Sequence, residues 1–266
     1  MTEKRQFFRA VIGALVIAFA MPGAASAQNL LEQIKSAGEI RVGLEFGRPP
    51  WGYKDANLQS AGYDFDAAKL IAEELGVNLT IVELTQPNRI PFLTSGRVDA
   101  VISTFSITPE REKVVDFSIP YGSAIVGVAG PQDLAISSTA DLKGVRVGVV
   151  RGSTNDTALT AQAPDADIVR FDDEATNMTA FVSGQVQAAV TEPATLKSIV
   201  EQNPNRNLEL KFTLVEFPIG VGLRKEEPEL KEALNAAISK NLEGGSLNEA
   251  FQGYFGTQLP ETIQAR

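Results

Sequence analysis

The chain has 266 residues, 24 basic against 33 acidic, for a formal net charge of −9. Neither cysteine nor histidine occurs. This excludes disulfides, thiolate nucleophiles, Ser-His-Asp catalysis and the usual zinc spheres, and leaves an enzyme only carboxylate, lysine or tyrosine chemistry.

The acidic balance makes nucleic acid or anionic lipid a poor partner. Residues 1–27 read as a secretory signal peptide. Lys4, Arg5 and Arg9 precede an apolar run over 10–20, and Ala25-Ser26-Ala27 offers a small-x-small cleavage site before Gln28. The run is too short for a stable span, and an uncleaved anchor is the competing reading. Without a cysteine there is no lipobox, so cleavage after Ala27 predicts a soluble product in the periplasm of a Gram-negative bacterium. Removing the leader's net +2 leaves about −11 on the exported part, which is long enough for two lobes.

Runs at 40–44, 77–82 and 98–102 read as strands. Between the first two, residues 64–75 put Phe65, Ala68, Ile71 or Ala72, and Leu75 on one helical face, with Gly76 as a stop. A short helix at 88–95 closes at Gly96. The pattern restarts after Pro131. Strands at 145–150, 168–171 and 186–190 alternate with helices ending near Ala163, at 174–183, and from Pro193 toward Gln202. Such alternation with short links predicts two α/β units with mostly parallel sheets. Extended joints at 119–125 and 214–218 carry the chain out and back, and helices near 228–243 and 247–255 return to the first unit. Two crossings make a hinge. The expected division is 28–120 with 218–266 as lobe one, and 121–217 as lobe two.

The stretch Ser103-Thr104-Phe105-Ser106-Ile107-Thr108-Pro109-Glu110-Arg111 follows an apolar strand. It combines hydroxyls, a Thr-Pro pair suited to a helix start, and one arginine. Free N–H groups beside a guanidinium suit a small carboxylate. A capped helix with a solvated arginine is the plainer alternative.

Gly62-Tyr63-Asp64-Phe65-Asp66-Ala67 followed by Leu70-Ile71-Ala72-Glu73-Glu74-Leu75 resembles the signature of family 3 solute-binding proteins, the periplasmic amino-acid receptors of ABC importers. Asn88-Arg89-Ile90-Pro91, Ser103 to Arg111, Asp116-Phe117-Ser118-Ile119-Pro120-Tyr121, Asp141-Leu142-Lys143-Gly144 and Arg151-Gly152-Ser153-Thr154 match in family order. Phe65 departs from the smaller aliphatic residue usual there.

This resemblance implies an α/β, two-lobed periplasmic-binding-protein fold (type II), with a two-strand hinge and a ligand cleft between the lobes. It implies that Arg111 takes the ligand's α-carboxylate, helped by Ser103, Thr104 and Ser106. The loop Ser153-Thr154-Asn155 gives N–H donors across the cleft, and Glu192 takes the α-ammonium. By the same alignment the side-chain pocket draws on Glu45, Phe46, Arg48, Trp51, Gln86, Arg89 and Arg151. Arg48 and Gln86 stand where many relatives carry aromatics. Trp51 is a clamp wall or a core residue. Arg89 meets a distal ligand carboxylate, or pairs with Glu45 or Asp99. So many charges argue against a purely aliphatic ligand and for a polar or acidic amino acid. No catalytic residue, metal or cofactor is expected. The expected partner is a membrane ABC permease, and the expected oligomeric state a monomer. The alternative is a cyclohexadienyl or arogenate dehydratase-like enzyme on the same scaffold. In that offshoot the catalytic glutamate lies about three residues after the cleft acid, where this chain has Thr195.

Overall fold

The computed structural model describes residues 29–264; the segment read as a signal peptide lies outside them. Asn29 caps α1 (Leu30–Ala37), accepting the Glu32 N–H at 2.9 Å, and Gly38 ends it in the left-handed region. The chain continues through β1 (Glu39–Leu44), the short β2 (Tyr53–Lys54) and β3 (Ser60–Ala61), α2 (Tyr63–Leu75), β4 (Asn78–Glu83), α3 (Arg89–Thr94), β5 (Ala100–Val101) and α4 (Pro109–Glu112). It then crosses on β6 (Asp116–Pro131). The second unit holds β7 (Arg146–Val150), α5 (Thr154–Gln162), β8 (Asp167–Phe171), α6 (Glu174–Ser183), β9 (Ala188–Thr191) and α7 (Pro193–Gln202). The return runs along β10 (Leu208–Leu223) into α8 (Pro228–Glu243), α9 (Ser246–Phe255) and α10 (Glu261–Gln264).

The main sheet has the order β4-β1-β5-β10-β6-β9-β7-β8. Within each unit the strands run parallel, β4-β1-β5 in one and β8-β7-β9 in the other. The two crossing strands are antiparallel to each other, and β10 pairs antiparallel with β5 while β6 pairs antiparallel with β9. Each is 16 residues long, far beyond the extended joints expected at 119–125 and 214–218. Pro120, Pro218 and several glycines break the apolar pattern that marks a strand. The pairing survives through register shifts such as those between Ile219 and Gly220 and between Gly220 and Gly222, which twist the ribbon without ending it.

Four apolar clusters form the core. The largest joins α1, α2, α8 and α9 to β1, with Tyr121, Ala124 and Ile219 from the crossing strands; a second lies around Leu93, Val101 and Phe105. Val126, Val128 and Phe217 belong instead to the second unit's clusters around Val149 and Phe181. The change of allegiance falls between Ala124 and Val126 going out and between Phe217 and Ile219 coming back. Bending there leaves both cores intact. Phe65 is half-buried, while Ala67, Ala68, Ile71 and Leu75 carry the packed face of α2. Gly62, with φ of +115°, opens that helix where a Cβ would run into the Trp51 carbonyl. This close approach docks α2 against the loop after β1, which carries half of the site described next.

Candidate functional site

Lobe one contributes the strand end after β5. Ser103 Oγ accepts the backbone N–H of Glu45 at 3.1 Å, tying this turn to the loop after β1. Thr104 has φ of +46°, a conformation that costs a β-branched residue on the order of 1–3 kcal/mol. Its hydroxyl donates to buried Asp64 at 2.7 Å, and Tyr121 donates to the other oxygen at 2.6 Å. Burial raises the Asp64 carboxyl above its ordinary value, and the Tyr121 and Thr104 bonds oppose that rise. The Thr104 side chain is thus committed to holding the turn. Thr104→Val should lower unfolding stability by about 1–3 kcal/mol, because Asp64 loses a donor it cannot replace. Urea denaturation would read the loss.

Thr108 caps α4 by accepting the Arg111 N–H at 3.3 Å, with Pro109 at the first position. The Arg111 guanidinium then folds back, donating Nη1 to the Ser106 carbonyl at 2.9 Å and lying 4.8 Å from the Phe105 ring centroid. No carboxylate of the described residues forms an ion pair with it. Desolvation, and after it the Arg89 charge, push Arg111 down to about 9. It is a cation still charged at neutral pH, with a deficit of negative charge around it.

Lobe two contributes three helix starts. Ser153 caps α5, donating to Val150 O at 2.6 Å and accepting the Asp156 N–H at 3.0 Å. Its neighbour Thr154 sets Oγ1 3.2 Å from Ser106 Oγ across the cleft, and Asn155 is buried behind it. Glu192 precedes Pro193 at the start of α7 and is buried.

Between these walls runs an alternating chain of charge. Arg89 Nη2 donates to Glu45 Oε2 at 3.3 Å, Arg48 Nη1 lies 3.6 Å from the same oxygen, and Arg48 Nη2 meets Glu192 Oε1 at 2.8 Å. Arg48 therefore spans both lobes. Burial opposes its charge, but Glu192, then Glu45 and Glu174, outweigh that and hold it above the ordinary arginine value. Burial acts first on Arg89 too and lowers it to about 10, against the pull of Glu45. Glu45 is raised, chiefly by desolvation, against Arg48 and Arg89. Of the two partners weighed for Arg89, Glu45 is the observed one; Asp99 pairs with Arg41 at 2.6 Å.

Glu174 was not singled out by sequence. It opens α6, is 1% exposed, and accepts a 2.7 Å bond from Thr191 Oγ1. The available signal was its place on the same helical face as Met178 and Phe181, where an acid is out of character. Buried side-chain atoms lacking a partner include Glu45 Oε1, Glu174 Oε2, Glu192 Oε2, both amide atoms of Asn177, and Thr195 Oγ1. On the lobe-one side Gln86 Nε2 and the Nε atoms of Arg48 and Arg89 are in the same condition. Buried polar atoms are normally bonded, so these are free to take bonds from another molecule.

Other residues singled out earlier sit apart. Trp51 packs in the lobe-one core, 4.5 Å from Phe255 by ring centroid, and with Glu192 borders a groove of about 380 Å³ between the lobes. Phe46 is half-buried under Lys54 Nζ at 4.1 Å. Arg151 is exposed and pairs with Asp172 at 3.4 Å. Among the described residues no group of three or more acidic side chains is placed to hold a metal ion, and no helix is long and apolar enough to cross a membrane.

Residues 40–257 match the family described as bacterial extracellular solute-binding proteins, family 3. The ABC transporter glutamine-binding protein GlnH of Bacillus subtilis (strain 168) is 32% identical over 233 residues, covering 85% of each chain. Among solved structures, an ancestral arginine-binding protein bound to glutamine superposes with a TM-score of 0.79 at 36% identity, over 83% of this chain and 99% of its own. The ancestral amino acid-binding protein AncCDT-1, a precursor of cyclohexadienyl dehydratase, gives a TM-score of 0.79 at 33% identity, over 85% and 99%.

Proposed function

Because the chain belongs to the bacterial extracellular solute-binding proteins of family 3, we propose that its cleft receives a free polar amino acid and presents it to a membrane ABC permease. The observation that carries this reading is the separation of two unfinished charges. Arg111 on lobe one lacks a carboxylate, and Glu192 on lobe two keeps one oxygen unbonded. A zwitterion completes both, its carboxylate on Arg111, Ser106 and the start of α5, its ammonium on Glu192. Only the closed cleft brings the two ends within reach, so the ligand favours closure by its differential affinity for that state. Arg48 and Arg89 are already engaged by Glu45 and Glu192. A ligand with a distal carboxylate would have to break those pairs, which favours a polar uncharged side chain over an acidic one.

A permease partner accords with relatives that serve ABC transporters. The receptor works as a monomer in the periplasm after cleavage behind Ala27, with the lobes meeting between Ala124 and Val126 going out, a few residues later than the expected 120/121, and between Phe217 and Ile219 coming back. The chain is a binding protein and not an enzyme, as are the relatives named above. Thr195 also leaves the dehydratase alternative without its acid.

A thermal-shift panel of the standard amino acids tests the reading. Micromolar binding at millimolar ligand contributes about 4 kcal/mol, so at least one polar amino acid should raise the midpoint by several degrees, and a flat response to all would refute the reading. Trp51, the only tryptophan, borders the interlobe groove, so its emission should change with the same amino acid and with no other.

A further inference from the structure

The first turn of α6 belongs to the cleft as much as α5 and α7 do. The Glu174 backbone N–H favours the charged form of the Glu45 carboxyl on lobe one. At the next residue, the Ala175 methyl lies where a Cβ on Gly47 would come within 3.2 Å of it. Glu174 itself ends in a bonded oxygen, Oε1 on Thr191, and an unbonded one, Oε2. Glu192 matches it, with Oε1 on Arg48 and Oε2 unbonded. Behind the two acids, one helical turn on from each, Asn177 and Thr195 are fully buried with no bonded side-chain partner. Two carboxyls each offering a spare oxygen, backed by an unsatisfied amide and hydroxyl, form a receptor for a group with several N–H donors.

We infer that Glu174 is a ligand-binding residue: with Glu192 it takes the amino acid's ammonium group, and on doing so it releases its own carboxyl proton to solvent. This rests on the amino-acid-binding reading above and assigns a second acid to the ammonium end. The charges acting on Glu174 are Glu192 at the start of α7, and Arg48 and Glu45 in the loop after β1; Thr191 on β9 supplies its hydroxyl. Desolvation first, then the Glu192 charge, push Glu174 up to about 8, so below that pH Glu174 keeps a proton in the free protein. The balance is simple. The Glu174 O–H loses its proton to buffer, the arriving –NH₃⁺ donates to the oxygen so freed and to the spare oxygen of Glu192, and one positive charge has replaced another. An analogue with a hydroxyl in place of the ammonium brings no cation and displaces no proton.

The sign of the pH effect follows. Where Glu174 is protonated in the free protein and ionised in the complex, each unit rise in pH favours the complex up to tenfold. The gain ends once Glu174 ionises by itself, above about pH 8. Calorimetry on the wild-type protein tests this, with each of the standard L-amino acids as probe, in phosphate and in Tris at pH 7. The expected result is binding of at least one probe with close to one proton released, and a Kd falling up to tenfold from pH 6 to 7 but no longer falling above pH 8, where Arg111 itself begins to lose its charge. Glu174→Gln should bind the same probe with no proton release, and the 2-hydroxy-acid analogue should bind the wild type with none. Binding whose heat is identical in the two buffers would overturn the role of Glu174 and leave the receptor intact. Heat from no amino acid would remove the receptor reading and this one with it. Should the Gln variant misfold, the wild-type buffer comparison and the analogue still decide.

Discussion

Replacing Arg111 by alanine should weaken binding of the amino acid by about 10- to 150-fold in calorimetry, the range given by the loss of a charged hydrogen bond of about 1.5–3 kcal/mol. Its guanidinium is braced by the Ser106 carbonyl and the Phe105 ring, has no protein carboxylate, and is depressed by burial beside Arg89. A ligand carboxylate corrects all of this at once. Micromolar affinity needs about 8 kcal/mol in total, so Arg111 supplies a fraction, and the α5 start, the acids of lobe two and water exclusion supply the rest. Arg111→Lys should recover only part of the loss, because an ammonium cannot grip the carboxylate with a planar fork. Undiminished affinity in the alanine variant would move the carboxylate elsewhere.

Arg48→Ala should open the molecule. This side chain is the ionic bridge between Glu45 on one lobe and Glu192 on the other, all three being almost wholly buried. Removing one partner of a buried pair typically costs about 3–5 kcal/mol, because the remaining charges stay buried and uncompensated. A hinged protein has an escape that a rigid core lacks. By rotating open it returns Glu45 and Glu192 to water while both cores remain packed. Small-angle scattering of the ligand-free protein should therefore show a larger radius of gyration for Arg48→Ala than for wild type, while urea denaturation changes far less than 3–5 kcal/mol. Equal radii would mean that Arg48 does not hold the lobes together. A fall in denaturation stability of the full amount would mean that the lobes cannot swing.

The sequence was most readable where its periodicity was clean. Helix α2 declared itself through Ala68, Ile71 and Leu75 at helical spacing and Gly76 behind them, and α6 and α8 fell where they were expected. The length of the crossing strands was hidden, because Pro120, Pro218 and the glycines suppress the apolar alternation while a single long partner keeps the ladder paired. Helix α1 escaped notice since it is short and abuts the leader. In the site, Thr108-Pro109 before Arg111 was legible as a cap, which is a local matter. Pairings that depend on how two lobes meet were not legible. Arg48 could be seen as an oddity in an aromatic position, but its bond to Glu192 exists only once the fold brings the loop after β1 against the start of α7. Glu174 carries the same lesson, as an acid on an apolar helix face is a warning whose meaning appears only with Glu192 and Arg48 beside it.

The central claim, that Arg111 holds the ligand's carboxylate in a cleft that closes on Glu192, is tested most directly by pairing a change in the protein with a change in the ligand. The amino acid giving the largest thermal shift and its α-carboxamide would each be titrated into wild type and Arg111→Ala. The account predicts that amidation costs wild type about 10- to 150-fold and costs the variant almost nothing, since both changes delete the same bond. Equal losses from amidation in the two proteins would contradict it.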